Sequence, residues 1–569
     1  MKVLFTALHF ANYRNFESVI RSLAARGHEV HLLADEPETL GGQAFVERLA
    51  AECPGVSYGL TPSPVEEPWF RVAQKVRFAL DYVRFLEPRY ADAEKLRLRN
   101  IERAPRIVRW TTSGIGGAAV GHRVTARTLK SIERQLPPSP AIVRLLQTHR
   151  PDVVLLTSLT FSRSFGMEQM KAARALGIPT AACIMSWDHL SSKALLHIQP
   201  DATIVWNNVQ KREAVDMHGL PESRIVVTGA QCYDQWFDKQ PDRSREQFCR
   251  AVGLEADRPF VLYVCSAMSP VPDPIEPVFV REWIQALRSS GDPVLRSAGV
   301  LVRPHPERVK EWTTVSLDGL ENVAVRGRNP IDPDAKADYF DSIYYSSAVV
   351  GLCTTVFLEA AIIGRPVLTL QLPAYRMHQD GMVHFRYLTT VEGGLLHTAS
   401  DVPSHLRQLS ALLTRDGSRE ERNRRFLEAF VRPAGLDSPA TPTFVEAVEA
   451  LGRTGSRMRY DPSAATMPLV VRAAVAASHT SIGKWLLMDA IDTARADSEH
   501  ANRERKEQVI GARAAYRERE QREREAILRA TRQERAAKEW RKWRRGLNAR
   551  KQVARLKASV KRLIEVGHH

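Results

Sequence analysis

Two α/β halves joined by a linker, each a parallel sheet alternating with helices, followed by a long charged C-terminal helix, form the fold class this sequence predicts. Three observations predict it. Short apolar runs alternate with helix-length segments over residues 2–228 and again over 260–370, the pattern of parallel βαβ units. A polar, loosely patterned stretch at 231–259 separates the two series and reads as a linker. From residue 497 the chain has no proline and little core-forming pattern. The expected divisions are 1–235 with a helical insertion at about 66–135, then 256–400, then helices at 401–491 packing back on the body, then a helical or coiled-coil tail at 492–569.

In the first half, residues 2–8 form a buried strand and 15–26 a helix with Phe16, Ile20 and Leu23 on one face. Gly27 ends that helix, and a second strand follows at 30–33. The first turn reads His9-Phe10-Ala11-Asn12-Tyr13-Arg14 in place of a glycine-rich dinucleotide loop. His9 stands at the carboxyl end of the first parallel strand, where α/β sites hold a base, although a turn histidine without chemistry fits the same position. The Arg-rich insertion breaks the alternation, and its Gly114, Gly116 and Gly117 follow no strand, which reads as a turn and not a phosphate loop. Strands resume at 152–157, 180–185, 203–206 and 224–228. After the second of these comes Ser186-Trp187-Asp188-His189-Leu190-Ser191-Ser192-Lys193. Loops at strand ends carry function more often than fold, which makes Asp188 a second candidate base; helix capping and a salt bridge are the alternative.

The second half begins with a strand at 260–265. A short apolar strand at 299–302 runs into Arg303-Pro304-His305-Pro306, where two prolines hold the imidazole in a pre-set extended loop. A rigid imidazole beside Arg303 suits a pyrophosphate. The strand at 348–351 leads through Thr354 and Thr355 into a helix at 355–363, with Gly364 at its C-cap and Pro366 opening the next strand. Two hydroxyls and free backbone N–H groups at a helix N-terminus make an anion site, and Glu359, one turn on, faces the same side and suits a ribose diol. An ordinary crossover whose threonines cap the helix is the plain alternative. Asp332-Pro333-Asp334 reads as a turn without a third metal ligand, so no metal is expected.

At 569 residues the chain exceeds one core, and 44% hydrophobic with 26% charged residues is a globular composition. Six scattered cysteines without a CxxC pair suggest neither a zinc site nor a disulfide framework. No apolar window is long enough for a membrane span, and the opening is too quickly polar for a signal peptide, so a cytoplasmic location is expected, with a peripheral one at the inner membrane face as its extension. Of the net charge of +16, residues 501–569 carry +13 from 22 basic and 9 acidic residues, so the body is nearly balanced. Pairs such as Glu518–Arg522 support an exposed helix there. Residues 541–562 hold ten basic residues and no acidic one, with Trp540 and Trp543 at the edge, which suits an anionic membrane surface or a coiled-coil partner better than nucleic acid. For residues 467–491, amphipathic to apolar, packing back on the body is the reading, with a membrane face the alternative.

The His305 loop and the Thr354-Thr355…Glu359…Gly364-Arg365-Pro366-Val367 stretch resemble the HP loop and the S/T-S/T…E…GxPV segment of capsule-type sialyltransferases, Kdo transferases and CDP-glycerol glycerophosphotransferases. Arg26-Gly27-His28-Glu29-Val30 is similar to the N-terminal domain of nucleotide-sugar transferases. The resemblance covers about residues 1–455 apart from the 66–135 insertion, which matches nothing, and implies two Rossmann-like domains of GT-B type facing a cleft. It implies a nucleotide-activated donor as substrate, with no separate cofactor or metal, and a glycan or lipid-linked acceptor. Arg303, His305, Thr354 and Thr355 would hold the donor phosphates and Glu359 the ribose. The same clan includes nucleotide-sugar 2-epimerases. Cys353 departs from the expected polar residue, and the resemblance marks no acidic base.

Overall fold

The computed structural model describes residues 1–36, 41–113, 118–267, 276–313, 315–330, 332–414, 421–456, 468–490 and 492, and in the tail 538, 540, 541, 544, 545, 548 and 550–561. The chain falls into two compact units, Met1–Asp489 and Ala490–His569. The first contains both sheets. The predicted glycine turn at 114–117 lies outside the described residues, as does most of the predicted tail helix. Within the second unit, 550–561 is helical and exposed, and the Arg544 guanidinium sits 5.1 Å from the Trp540 ring centre.

One sheet holds β1 (Lys2–Ala7), β2 (Glu29–Ala34), β3 (Val56–Leu60), β4 (Val153–Leu156), β5 (Thr180–Cys183), β6 (Ala202–Val205) and β7 (Ile225–Val227). Its order is β3-β2-β1-β4-β5-β6-β7, and every pairing is parallel. The central strand β1 is buried on both faces, which is why its sequence is a continuous apolar run. Alternation sends Val3, Phe5 and Ala7 against helices Glu17–Ala25 and Ala440–Thr454, while Leu4 packs against Pro140–His149 and Gly166–Ala175 on the other face.

The second sheet holds β8 (Phe260–Val264), β9 (Gly299–Arg303), β10 (Val323–Val325), β11 (Ala348–Val350), β12 (Val367–Leu370) and β13 (His397–Ala399) in the order β10-β9-β8-β11-β12-β13, again all parallel. Three short edge strands, β3, β10 and β13, were not expected. The predicted linker is folded: it holds helices Asp234–Asp238 and Arg245–Val252, with Phe248 fully buried, because a polar face disguised its apolar anchors.

The insertion holds helices Phe70–Phe85, Glu94–Arg103, Arg106–Ser113 and Ala118–Gln135. A buried ionic cluster fastens it to the first sheet: Arg77 bonds Glu133 at 2.8 Å and Glu168 at 2.7 Å, and Lys171 meets Glu133 at 3.0 Å. Helix Glu94–Arg103 continues across to the second half, packing on the turn Pro373–His378, while Tyr90 and Leu96 meet Met382 and Val383. The helix at 440–454 returns to the first half, and Leu469–Ser478 buries Val471 and Val475 against Trp69 and Phe70 of the insertion. Among the described residues no helix is long and apolar enough to cross a membrane.

Candidate functional site

The loops that leave the carboxyl ends of β5, β8, β9 and β11 meet in one cavity of about 590 Å³ between the two sheets. That is where ligands bind in open α/β sheets. Six lysines and arginines line it against two carboxylates, Asp188 and Glu359, together with four histidines. A second concavity of about 660 Å³, lined by Asn208, Arg212, Glu392 and Glu428 among others, holds none of the residues the sequence singled out.

The wall from the second half carries His305, Thr354, Thr355 and Glu359. His305 is half-buried, and its Nδ1 accepts the Glu307 backbone N–H at 3.3 Å. Burial lowers its pKa, with Arg308 and Arg14 adding to the effect, so the ring is neutral at pH 7 and carries its proton on Nε2. It enters the cavity as a hydrogen-bond donor. Thr355 is exposed at the start of helix Val356–Ile363, which Gly364 closes at φ +83°. The backbone N–H groups there are less free than expected. Val356 N–H turns back to Thr354 Oγ1 at 3.4 Å and Leu358 N–H to the Thr355 carbonyl at 3.0 Å, because the first turn is wound tightly. The helix dipole and the Thr355 hydroxyl remain for an anion. Cys353 N–H is fixed to Ser266 Oγ at 3.1 Å, and Ser266 N–H is held by Glu276 at 2.8 Å.

Arg303 also lines the cavity, but its charge is not free. Its guanidinium is buried, with Nη1 2.9 Å from Asp338 Oδ2 and the group 5.3 Å from the Tyr339 ring centre. Gly327, at φ +129°, lies beneath it, where a Cβ would come within 2.8 Å of the guanidinium. Asp338 neutralises the charge, and Nη2 is left buried without a partner among the described residues. Glu359 accepts the Tyr339 hydroxyl, and burial pushes its carboxyl up to about 7 against the pull of Tyr339 and Arg14. Arg14, from the turn after β1, has no hydrogen bond or ion pair among the described residues, and its charge acts on both His305 and Glu359 from the facing half. Sequence reasoning quoted Arg14 without assigning it a role.

On the facing wall, Asp188 receives Ser186 Oγ at 2.6 Å and Ser192 Oγ at 3.1 Å, with Lys193 Nζ at 3.7 Å. Burial alone would raise this carboxyl, but Lys193, His189 and His384 hold it well below the carboxylate range. A carboxylate so stabilised is a poor proton acceptor. Its neighbours are the better ones: burial lowers His189 and His384 to about 4, and the Asp188 charge favours the protonated form of each. Both line the cavity. His9 does not join them. Its Nε2 faces Glu36 at 3.8 Å, and it is absent from the cavity wall.

Asp332 caps helix Pro333–Tyr344 by accepting Ala335 N–H at 2.8 Å. No group of three His, Cys, Asp or Glu that could hold a metal occurs among the described residues.

No known protein family matches this chain, nor does any curated protein. Among solved structures it is similar to a glycosyltransferase from Rickettsia africae, at 9% identity and TM-score 0.46, covering 79% of this chain and 98% of that one. It is similar to the UDP-GlcNAc 2-epimerase from Neisseria meningitidis bound to UDP-GlcNAc, at 14% identity and TM-score 0.44, covering 79% and 100%. The wall teichoic acid polymerase TagF is a third, at 10% identity and TM-score 0.41, covering 80% and 89%. All three scores are below 0.5, so the fold rests on the two all-parallel sheets, their shared cavity and the returning C-terminal helix, an arrangement that fits GT-B.

Proposed function

We propose that the protein is a GT-B transferase that moves a sugar or polyol phosphate from a nucleotide-activated donor to a glycan or lipid-linked acceptor. The observation that carries this reading is the convergence of His305, Thr355 and Glu359 with Arg14, Asp188 and His384 in one cavity between two Rossmann-like halves. The donor phosphates take the His305 Nε2 proton, the Thr355 hydroxyl and the Arg14 charge, and Glu359 accepts the ribose diol. The acceptor oxygen forms its bond to the transferred group as the bond from that group to the nucleotide phosphate breaks. The acceptor proton passes to His384 or His189, and Asp188 stabilises the imidazolium. The ten basic residues at 541–562 favour an anionic membrane as the partner of the tail.

A calorimetric panel of UDP, CMP, CDP and GDP tests the donor side. One should bind, and failure of all four overturns the reading. Turnover of a nucleotide sugar without acceptor would replace the transferase by an epimerase. In the nucleotide that binds, His305→Ala should lose about 10- to 100-fold in affinity, the worth of a hydrogen bond to a charged group. His9→Ala should leave that affinity unchanged.

Glu359 gives the donor site a pH dependence. The ribose diol needs the ionised carboxylate, whose pKa stands at about 7 in the free protein. Nucleotide affinity should therefore rise from pH 6 to pH 8 and level off above, and Glu359→Gln should abolish that rise. A flat profile in the unsubstituted protein would remove Glu359 from the ribose.

A further inference from the structure

A residue of the helical insertion, for which the resemblance gives no counterpart, joins the cavity wall. Lys95 lies on the insertion helix Glu94–Arg103 and lines the cavity, half-buried, with no hydrogen bond or ion pair among the described residues. Across from it, on the turn against which that helix packs, His378 is 6% exposed and neither ring nitrogen has a partner among the described residues. Lys193, Arg99 and Arg308 act on the Lys95 ammonium, and burial together with these cations lowers its pKa to about 8. Asp188, the nearby carboxylate, is already occupied by Ser186, Ser192 and Lys193. The fold therefore holds a concentrated positive charge and two unspent polar side chains in addition to the His305 and Thr355 groups assigned above to the nucleotide phosphates. Burying an unpaired ammonium and an imidazole that bonds to nothing is costly unless a ligand completes them.

We propose that Lys95 and His378 form a second anion subsite, which binds a phosphate group carried by the acceptor. The proposal rests on the transferase reading above and narrows its acceptor to a phosphorylated one. A phosphate suits the site better than a carboxylate because several cations surround it, and because a neutral His378 both donates and accepts. The insertion is then what selects the acceptor: its helix delivers Lys95, and its packing on the 373–378 turn sets the opposite wall.

Calorimetry on the full-length protein tests this with two probes, inorganic phosphate and decyl phosphate, each titrated with and without a saturating nucleotide from the panel. Decyl phosphate should bind the nucleotide-saturated protein. Lys95→Met should weaken it at least tenfold, Lys95→Arg should restore it to within about threefold, and His378→Leu should weaken it comparably. Nucleotide affinity should be the same in all four proteins, which also reports that the variants fold. Lys95-dependent binding of inorganic phosphate as well would indicate a soluble phosphorylated acceptor, whereas dependence seen with decyl phosphate alone would indicate a lipid-linked one. Equal probe binding by Lys95→Met and the unsubstituted protein, or equal competition by acetate, overturns the subsite. If no nucleotide binds, the transferase reading fails while the Lys95 difference stays readable in the nucleotide-free titration.

Discussion

Glu133→Gln should destabilise the protein by about 3–5 kcal/mol, the cost of leaving buried charges uncompensated. Glu133 is 1% exposed and holds both Arg77 and Lys171, which tie the insertion to helix Gly166–Ala175. With glutamine there, two cations share Glu168 alone. The loss should be read by urea unfolding and by faster amide exchange in helices Phe70–Phe85 and Ala118–Gln135. Retained exchange protection there would show that the cluster is not what fastens the insertion. The pH dependence follows from the same group. Burial would raise the Glu133 carboxyl, yet Arg77 and Lys171 hold it at about 2. A depressed folded-state pKa gives stability that is full above the ordinary carboxylate range and lost as pH falls. This contribution should fade from about pH 4.5 to pH 2 and be missing in Glu133→Gln.

Asp188→Asn should lower turnover by about 10²- to 10³-fold with nucleotide affinity unchanged. Proton transfer by a positioned side chain is worth about that much, and the amide cannot stabilise an imidazolium on His189 or His384. Lost kcat at constant donor KM, with part of the rate returned by Asp188→Glu, separates this electrostatic role from a structural one. Full turnover in Asp188→Asn would leave the carboxylate as a local tie for Ser186, Ser192 and Lys193.

The central strands and the two cavity loops of the second half were legible because their signals are local. Buried parallel strands read as unbroken apolar runs, and the His305 and Thr355 loops are punctuated by proline and glycine. The edge strands β10 and β13 have three residues each and little burial, too short for any period to register. What the site residues do to one another was not legible. Arg303 is neutralised by Asp338, which lies 35 residues on along a helix whose direction only the packing fixes. Lys95 carries no motif, and nothing but the route of the insertion brings it to the cavity. His9 and Asp188 illustrate both outcomes of one rule: each follows a parallel strand, and only the second reaches the cavity.

Helix Glu94–Arg103 has a mechanical consequence. The two halves are joined by the 231–259 stretch and by the returning helix Ala440–Thr454, and the insertion, anchored in one half, is also seated on the other through Met382, Val383 and the Asp92–Arg386 ion pair at 3.5 Å. A cleft crossed by such a strap cannot widen along that edge until the Asp92–Arg386 pair is broken and Tyr90 and Leu96 are lifted off Met382 and Val383.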